Sequence, residues 1–497
     1  MVPMTTLLSW IAAVVRGQPQ RPVMFWEGTA WTYADFWERT GRVAYALLTR
    51  TEFRPQQPVG LLGRNNPDML LGYIGILRAG GVAVPLNFML KPEEIKAQLG
   101  FVDARYCLVG DIDKTYRECV APEHVVVPVA DLNATSVAEL PTVTASSRAT
   151  ILLTSGSTGA PKGVLHTQGS MLHAALLLSA AFPFSQDDVN IAFLPFFASI
   201  PEQVLPTLVS GGALDVLPRF DVEAICRACE RATAFDAVPT LVARLLAEGD
   251  PAQLNRLRWI MFASEPMPPA VLQQWQDAAP AAKTYEFYGM TELLTISHAT
   301  PDVLRRRPDS VGFPFATSSL HVIDEQGEVL PPGVAGEIVC KSPALMAGYL
   351  NDEIASDAAF TATGALRTGD VGVLDDTGCL SLTGRSKDII ISGGLNVAPA
   401  EIEAVACRHP QVACACVIGI PHARWGETPV VVAMAKPGSA LTGRELAQFC
   451  RTELAGFKRP SAAAIVGELP LTGIGKAARS HLRDAILQGS LRLEHAD

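Results

Sequence analysis

The chain has 497 residues, of which 48% are hydrophobic and 18% are charged; this excludes a disordered protein and allows several folded units with large cores. Its formal net charge of −10 disfavours binding to nucleic acids and to anionic membranes. The ten cysteines show no disulfide-like framework, which is typical of a reducing compartment. Cys226 and Cys229 form a CxxC pair without a second pair at zinc-site spacing, so core packing on a helix is favoured over a metal or redox site.

The N-terminal part contains the apolar run LLSWIAAVV at 7–15. No positive charge precedes this run, which predicts a packed helix and not a signal peptide. No stretch reaches the ~18 uninterrupted apolar residues that a membrane-spanning helix needs. We therefore expect a soluble, cytoplasmic protein without a membrane span.

Short β-rich runs alternate with amphipathic helical patterns between residues 57 and 292. Strands are predicted at 58–62, 82–86, 106–110, 149–154, 189–194, 213–217, 234–238, 257–263 and 284–288. This alternation predicts an α/β fold, with parallel sheets that carry helices on their faces. Because ligands bind beyond the carboxyl ends of the strands in such sheets, we expect the functional residues in the loops that leave those ends.

The pattern changes after Glu292, where short strands and turn dipeptides predict a small antiparallel or barrel unit. A second change near 384–388 predicts a compact α+β domain at the C-terminus. Its predicted elements are a helix at 399–407, strands at 412–420 and 428–435, a helix at 442–455, a strand at 462–466 and a last helix after 477. The predicted domains are therefore 1–385, with the barrel near 293–383, and 386–497.

A loop rich in small residues follows one predicted strand, in the string ILLTSGSTGAPKGVLHT at 151–167. Small side chains let the backbone approach a ligand, their N–H and hydroxyl groups can bind phosphate oxygens, and Lys162 adds a positive charge. The loop is not a Walker A motif, because Lys162 follows Pro161 and precedes Gly163. The candidate phosphate-binding residues are Thr154, Ser155, Gly156, Ser157, Thr158, Gly159 and Lys162.

Four further motifs follow in order: EFYGMTEL at 286–293, LRTGD at 366–370, TGRSKDIIISGGLNVAPAEIE at 383–403 and PLTGIGKAAR at 470–479. With the small-residue loop, they resemble the signatures of the adenylate-forming superfamily of acyl-CoA synthetases, peptide-synthetase adenylation domains and luciferases. The chain is most similar to an AMP-forming acyl- or aryl-CoA ligase. The resemblance implies two flavodoxin-like αβα sheets and a small β-barrel, followed by a mobile α+β C-terminal domain.

The resemblance also implies the chemistry: an acid attacks ATP to form an acyl-adenylate, and the thiol of coenzyme A then takes the acyl group. Both reactants of the first step are anionic, so the site must neutralise charge and align them. Glu292 would bind Mg²⁺, which prefers few protein oxygens, and Lys476 and Thr291 would complete the catalytic set. The resemblance places the nucleotide on the small-residue loop and on Ser264, Glu265, Tyr288, Gly289, Thr291, Asp370 and Arg385.

The second step requires a different lining of the same site, which the family provides by rotating its C-terminal domain. Lys387 stands at the hinge position that the resemblance implies, two residues after Arg385. Gly393 and Gly394 would then line a narrow tunnel for the thiol.

The predicted acyl pocket departs from the pattern of amino-acid-activating relatives, which carry an aspartate where this chain has Phe197. An ammonium without a counter-charge is costly in an apolar pocket, so an α-amino acid is disfavoured. We predict that the substrate is a hydrophobic fatty or aromatic acid. For Glu202, a solvated carboxylate on a helix is favoured over a residue that binds a polar group of the substrate. The predicted pocket residues are Phe197, Ala198, Val238 and Met290.

Several alternatives remain open at this point. The acceptor could be the phosphopantetheine of an acyl carrier protein, although no carrier-type insertion is evident. Luciferases, which oxidise the acyl-adenylate, share these motifs, so an enzyme of that kind is a second alternative. A non-catalytic nucleotide-binding scaffold would be expected to lose Lys162, Glu292 or Lys476, and this chain retains all three.

Overall fold

The computed structural model describes residues 5–50, 52–121, 123–134, 139–155, 161–263, 267–385, 390–392, 395–397, 399–422, 425–454, 456–471 and 477–496.

The helices of the described residues are, in chain order, α1 (Leu7–Gly17), α2 (Tyr33–Arg50), α3 (Pro67–Arg78), α4 (Pro92–Phe101), α5 (Lys114–Val120), α6 (Gln168–Ala181), α7 (Phe196–Ser199), α8 (Leu205–Ser210), α9 (Val222–Ala228), α10 (Pro239–Glu248), α11 (Pro251–Leu254), α12 (Pro269–Ala278), α13 (Pro301–Arg306), α14 (Glu353–Ala358), α15 (Pro399–Cys407), α16 (Gly443–Glu453) and α17 (Arg479–Leu487). A π-helical segment, Ile200–Val204, joins α7 to α8. No helix among the described residues is long and apolar enough to cross a membrane.

The strands belong to two large sheets and two smaller ones. In chain order they are β1 (Pro22–Trp26), β2 (Thr29–Thr32), β3 (Pro58–Leu62), β4 (Val82–Pro85), β5 (Tyr106–Val109), β6 (Val125–Pro128), β7 (Arg148–Ser155), β8 (Pro161–Thr167), β9 (Val189–Ala192), β10 (Ala213–Val216), β11 (Ala234–Ala237), β12 (Trp259–Phe262), β13 (Lys283–Met290), β14 (Leu293–Ala299), β15 (Phe313–Pro314), β16 (Ser319–Ile323), β17 (Gly336–Lys341), β18 (Gly348–Tyr349), β19 (Leu366–Leu374), β20 (Leu380–Arg385), β21 (Ile390–Ser392), β22 (Leu395–Val397), β23 (Val412–His422), β24 (Gly426–Ala435), β25 (Ala462–Val466) and β26 (Glu494–His495).

The described strands form four sheets. One has the order β18-β8-β7-β4-β3-β5-β6, and another has the order β15-β14-β13-β12-β11-β9-β10-β1-β2. The inner strands of both are parallel. Antiparallel strands complete both edges of the nine-stranded sheet and the β18 edge of the seven-stranded sheet, whose other edge strand, β6, is parallel. The third sheet, β16-β17-β19-β20, is antiparallel, and the fourth contains only strands that follow residue 389.

Local signals in the sequence explain where several helices begin. Thr167 caps α6 by accepting a hydrogen bond from the Ser170 N–H, and the Ser170 hydroxyl accepts one from the Thr167 N–H. Asn66 caps α3 in front of Pro67, which suits the first helical position because proline has no N–H to satisfy. Such caps each stabilise a helix by about 1 kcal/mol. They fix the ends of helices that pack on the sheets bearing the site.

The predicted strands between 58 and 290 are all present, with ends displaced by at most a few residues. Two features differ from the expected pattern. Residues 161–167 form β8, which pairs antiparallel with β7 after the small-residue loop. The chain after Glu292 first adds β14 to the nine-stranded sheet, and the small antiparallel sheet begins only at Ser319. In both cases the strand pairs antiparallel with the strand just before it in the chain, a hairpin that the alternation of strands and helices does not indicate.

The nine-stranded sheet is covered by apolar side chains on both faces. Side chains alternate along each strand, so Trp259 and Met261 of β12 join one core cluster while Ile260 and Phe262 join the other. The first cluster includes residues of α6, α7 and α8, and the second includes residues of α9, α10 and α12. Helices therefore lie on both faces, and a ligand is expected at the carboxyl ends of the strands.

Candidate active site

The tip of a β-hairpin carries two of the predicted site residues. Strands β13 and β14 pair up to Met290 and Leu293, so Thr291 and Glu292 form the two-residue connection between them. This connection follows the carboxyl end of β13, a parallel strand of the nine-stranded sheet. The tip therefore lies where ligands bind in sheets of this type.

Tyr349 connects Glu292 with the lysine of the small-residue loop. Its hydroxyl donates a hydrogen bond of 2.8 Å to the Glu292 carboxylate, and the Lys162 ammonium lies 4.5 Å from the centre of its ring. Burial and the Glu292 charge both raise the pKa of Tyr349 above its ordinary value, so the phenol stays protonated and remains a donor. Lys162 and Glu292 are thus brought to one place, although 130 residues separate them in the sequence (292 − 162).

Strand β18 positions Tyr349 beside this pair of charges. It pairs with β8, and the N–H groups of Ala347 and Leu350 donate to the carbonyls of Leu165 and Gly163, each at 2.7 Å. Sequence analysis missed Tyr349, since a lone aromatic residue in a two-residue strand carries no local signal. Only the pairing of β18 with the strand after the small-residue loop reveals its role.

His166 holds the backbone of Thr291. Its Nε2 lies 2.7 Å from the Thr291 carbonyl oxygen, and its Nδ1 lies 3.2 Å from the Ser170 hydroxyl. Burial lowers the pKa of His166 to about 4, so the ring is neutral near pH 7. A carbonyl can only accept, so the proton belongs on Nε2, and His166 fixes the hairpin tip to β8. Sequence analysis also missed this residue.

Tyr288 and Asp370 are joined by a buried hydrogen bond. The Tyr288 hydroxyl donates to the Asp370 carboxylate at 2.5 Å, and both side chains are less than 10% exposed. Tyr288 lies on β13 and Asp370 on β19, so the bond connects the nine-stranded sheet with the small antiparallel sheet. The backbone of Asp370 also pairs with that of Arg385. Tyr288, Asp370 and Arg385, predicted from three separate motifs, are therefore neighbours.

The predicted acyl-pocket residues come from three elements. Phe197 and Ala198 are half-buried on α7, and the ring of Phe197 packs edge-on against Phe88 at 6.1 Å. Val238 is buried at the start of α10, and Met290 is half-buried at the end of β13. Residues near the carboxyl ends of β9, β11 and β13 thus supply a mostly apolar set.

Asn65 fixes the loop that leads into α7. Its amide donates to the Leu194 carbonyl and accepts from the Phe196 N–H, each at 2.8 Å. Asn65 is buried in the loop between β3 and α3, so it joins the two large sheets beside the acyl-pocket residues. No motif indicated this residue.

Several predicted residues lie outside the described part of the chain. They are Gly156, Ser157, Thr158, Gly159, Ser264, Glu265, Lys387, Gly393, Gly394 and Lys476. For Ser155 and Arg385 only the backbone is described, while Thr154 is half-buried at the end of β7 and Gly289 precedes the hairpin tip.

The described residues fit a magnesium nucleotide. Among them, no group of three or more His, Cys, Asp or Glu residues could hold a metal ion unaided. Glu292 supplies a single carboxylate, which suits Mg²⁺ because this ion takes most of its ligands from phosphate and water in such sites. Lys162 stands beside it with the charge that phosphate oxygens require.

Comparison with known proteins bears on this arrangement. The profile of the AMP-binding enzyme family matches residues 11–350, and that of the AMP-binding enzyme C-terminal domain matches residues 401–476. The chain is 32% identical to a feruloyl-CoA synthase from Amycolatopsis, over 96% of this chain and 98% of that protein.

Solved structures resemble the whole fold. An anthranilate CoA ligase in complex with anthranoyl-AMP is 25% identical, with a TM-score of 0.90 and 99% of both chains covered. The o-succinylbenzoate coenzyme A synthetase of Bacillus subtilis, in complex with ATP and a magnesium ion, is 28% identical, with a TM-score of 0.84 over 96% of this chain and 99% of that one.

Proposed function

The chain belongs to the AMP-binding enzyme family, and from this we propose that it is an AMP-forming ligase that converts an aromatic carboxylic acid to its coenzyme A thioester through an acyl-adenylate. The observation that carries the proposal is that Lys162 and Glu292 both contact Tyr349, while Tyr288, on the strand that leads to Glu292, binds Asp370. These residues supply a phosphate-binding cation, a metal-binding carboxylate and a hydroxyl-binding carboxylate.

The first half-reaction requires the two anionic reactants to be brought into line. Lys162 would hold the departing phosphates, and Asp370 would accept hydrogen bonds from the ribose hydroxyls. Magnesium bound at Glu292 would neutralise phosphate charge. His166 binds the Thr291 carbonyl oxygen, and the Thr291 hydroxyl would donate a hydrogen bond to the α-phosphate.

Lys476 is the residue that we propose for stabilising the adenylation transition state. A lysine that follows a glycine in the sequence, as Lys476 follows Gly475, is suited to reach both the acid carboxylate and the α-phosphate, and one such donor contributes on the order of 10²–10³ in rate. The family profile of the C-terminal domain extends to this residue, which supports the assignment.

The thiol step would use a second orientation of the C-terminal part. We propose 1–385 and 386–497 as the two units, with Lys387 as the hinge and with Gly393 and Gly394 along the thiol path. The fourth sheet, built only from strands after residue 389, supports this division.

An aromatic acid is favoured by the acyl-pocket residues. Phe197 replaces the carboxylate that an α-ammonium would need, and Phe88 extends the apolar surface beside it. The similar feruloyl-CoA synthase, anthranilate CoA ligase and o-succinylbenzoate synthetase each act on an aromatic acid, which supports the same substrate class.

The test is pyrophosphate release from ATP across a panel of aromatic, fatty and α-amino acids, each with and without coenzyme A. We expect aromatic acids to drive release, and coenzyme A to raise turnover and yield AMP and the thioester. Release without any effect of coenzyme A would move the acceptor to a carrier-protein phosphopantetheine. Nucleotide binding without release for any acid would contradict a ligase.

A further inference from the structure

A buried carboxyl group on the inner face of the nine-stranded sheet has no described partner. Asp236 is 2% exposed, and neither of its side-chain oxygens has a hydrogen-bond partner among the described residues. Buried polar atoms are nearly always hydrogen-bonded, and leaving a carboxyl group unpaired is costly. An apolar side chain would pack at this position without that cost. Position 236 therefore carries a polar group that the fold itself does not require.

Asp236 faces the core side that carries the acyl-pocket helix. It lies on β11, between Phe235 and Ala237, which both belong to the core cluster on the other face. Ala234, two residues earlier, belongs to the cluster that includes Phe196 of α7. Because side chains alternate along a strand, Asp236 points toward α7 and the π-helical segment that follows it.

That π-helical segment brings a second acid to the same place. Ile200 and Val204 lie in the cluster on the Asp236 face, and the amide of Gln203 donates to the Ile191 carbonyl of β9 at 3.0 Å. Strand β9 is the immediate neighbour of β11, so the segment is bound to the strand next to Asp236. Glu202 is half-buried within it. Burial, and secondly the charge of Glu202, raise the pKa of Asp236 well above its ordinary value.

Both acids border the residues that we assign to the acyl pocket. Glu202 lies four residues after Ala198 on the same helical stretch, and Asp236 lies two residues before Val238. The π-helix widens one helical turn, a feature often found at functional sites. A second buried side-chain oxygen without a described partner, Oε1 of Gln203, lies in this segment. The polar groups thus gather at one part of an otherwise apolar set.

Resting on the proposed function, we infer that Asp236 and Glu202 form a specificity site that binds a hydrogen-bond donor, a hydroxyl or an amino group, on the non-reacting end of the aromatic acid. The donor supplies the partner that the Asp236 carboxyl group lacks. An acid without such a group leaves Asp236 unpaired, and a site built to bind a hydroxyl or N–H strongly rejects the analogue that lacks it.

The experiment measures kcat/KM for pyrophosphate release with matched acids: cinnamate, 4-hydroxycinnamate and 4-aminocinnamate, and the corresponding benzoates. We expect the enzyme to prefer a donor-bearing acid over its unsubstituted analogue by on the order of 10²-fold. Comparison of the hydroxyl-bearing acids with the amino-bearing acids shows which of the two donors the site binds. Equal use of donor-bearing and unsubstituted acids would overturn the inference while leaving the ligase intact, whereas no release with any acid would overturn both.

The variants Asp236→Leu and Asp236→Asn assign the preference to the carboxyl group, and Glu202→Gln tests its neighbour. Asp236→Leu should lose activity toward the donor-bearing acid by about 10²-fold and keep or gain activity toward the unsubstituted one. Asp236→Asn keeps the shape and some hydrogen bonding, so it should show a smaller loss in the same direction. Glu223→Gln, an exposed acid on α9, is the matched control. A uniform loss across all acids in the folded variants would overturn the inference.

Discussion

A carboxylate that binds two ribose hydroxyls must be held in one orientation, and the Tyr288 hydroxyl holds Asp370 in this way at 2.5 Å. Because the bond is buried, neither group can exchange it for water without cost. The resemblance to the adenylate-forming superfamily places Tyr288 among the residues that bind the nucleotide. The structure adds a second role, because its hydroxyl also orients the proposed ribose ligand.

We predict that Asp370→Asn raises the KM for ATP and lowers kcat/KM by about 10–100-fold, because one charge-assisted acceptor oxygen is replaced by an amide nitrogen. Tyr288→Phe, which keeps the ring but removes the hydroxyl that donates to Asp370, should lower kcat/KM by about 10-fold. Pyrophosphate release at varied ATP concentration measures both effects. Asp376→Asn, an exposed change in the turn after β19, is the control, and an unchanged KM in Asp370→Asn would refute the assignment.

Glu286 provides a prediction about pH and stability. Burial raises the pKa of its carboxyl group from 4.5 to about 8, so the folded chain keeps a proton that the unfolded chain loses over this range. The contribution of the protonated Glu286 carboxyl group to the free energy of unfolding is complete below pH 4.5 and is lost as the pH rises through about 8. The loss is on the order of 4 kcal/mol.

The variant Glu286→Gln remains neutral and should lack this decline. Urea unfolding at about pH 5.5 and about pH 8.5 compares it with the wild-type chain. Glu325→Gln, on an exposed turn, should behave like the wild type. If Glu286→Gln loses as much stability as the wild type between the two pH values, the buried acid is not responsible.

At the scale of elements, the β13–β14 hairpin depends on close backbone contact near its tip. A Cβ at Gly289 would lie 2.5 Å from the Leu294 carbonyl oxygen and 2.7 Å from the Phe287 ring. Gly289 stands where the pairing of the two strands shifts register, between Tyr288 and Met290. The hairpin therefore sets the distance between Tyr288 and the Thr291–Glu292 tip.

We predict that Gly289→Ala forces the two strands apart, destabilises the protein by about 1–3 kcal/mol and lowers adenylation by more than about 10-fold. Gly100→Ala in α4, where a Cβ would meet nothing within 4 Å, should leave activity unchanged and slightly favour the helix. Thermal unfolding and pyrophosphate release measure the two quantities. Wild-type activity in Gly289→Ala would show that the tip tolerates displacement.

At the scale of the whole molecule, the two chemical steps are predicted to use different parts of the C-terminal unit. We expect Lys476→Ala to reduce acyl-AMP formation by about 10²–10³-fold but to retain most of the thioester formation from supplied acyl-adenylate. Rapid-quench measurement of each half-reaction tests this separation. Lys436→Ala, after β24 in the same unit, should affect neither step, and equal loss of both steps in Lys476→Ala would contradict the division of labour.

The sequence alone determined the α/β fold class, the family and the nine strands predicted between 58 and 288, and the comparisons confirm the fold class and the family. It could do so because buried parallel strands are short apolar runs, and because a loop that binds phosphate needs small residues and a lysine at fixed spacing. The roles assigned to the motif residues, including those outside the described part of the chain, remain predictions.

Only the tertiary structure showed what lies between the motifs. Tyr349 joins Lys162 to Glu292 because β18 pairs with β8, and His166 reaches Thr291 across 125 residues. In the sequence, Asp236 is one polar residue within a strand. The structure shows that its carboxyl group is buried and has no hydrogen-bond partner among the described residues, and the proposed role of Asp236 rests on this observation. Such contacts arise from packing between distant elements, and local periodicity and motif spacing carry no information about which distant side chains will meet.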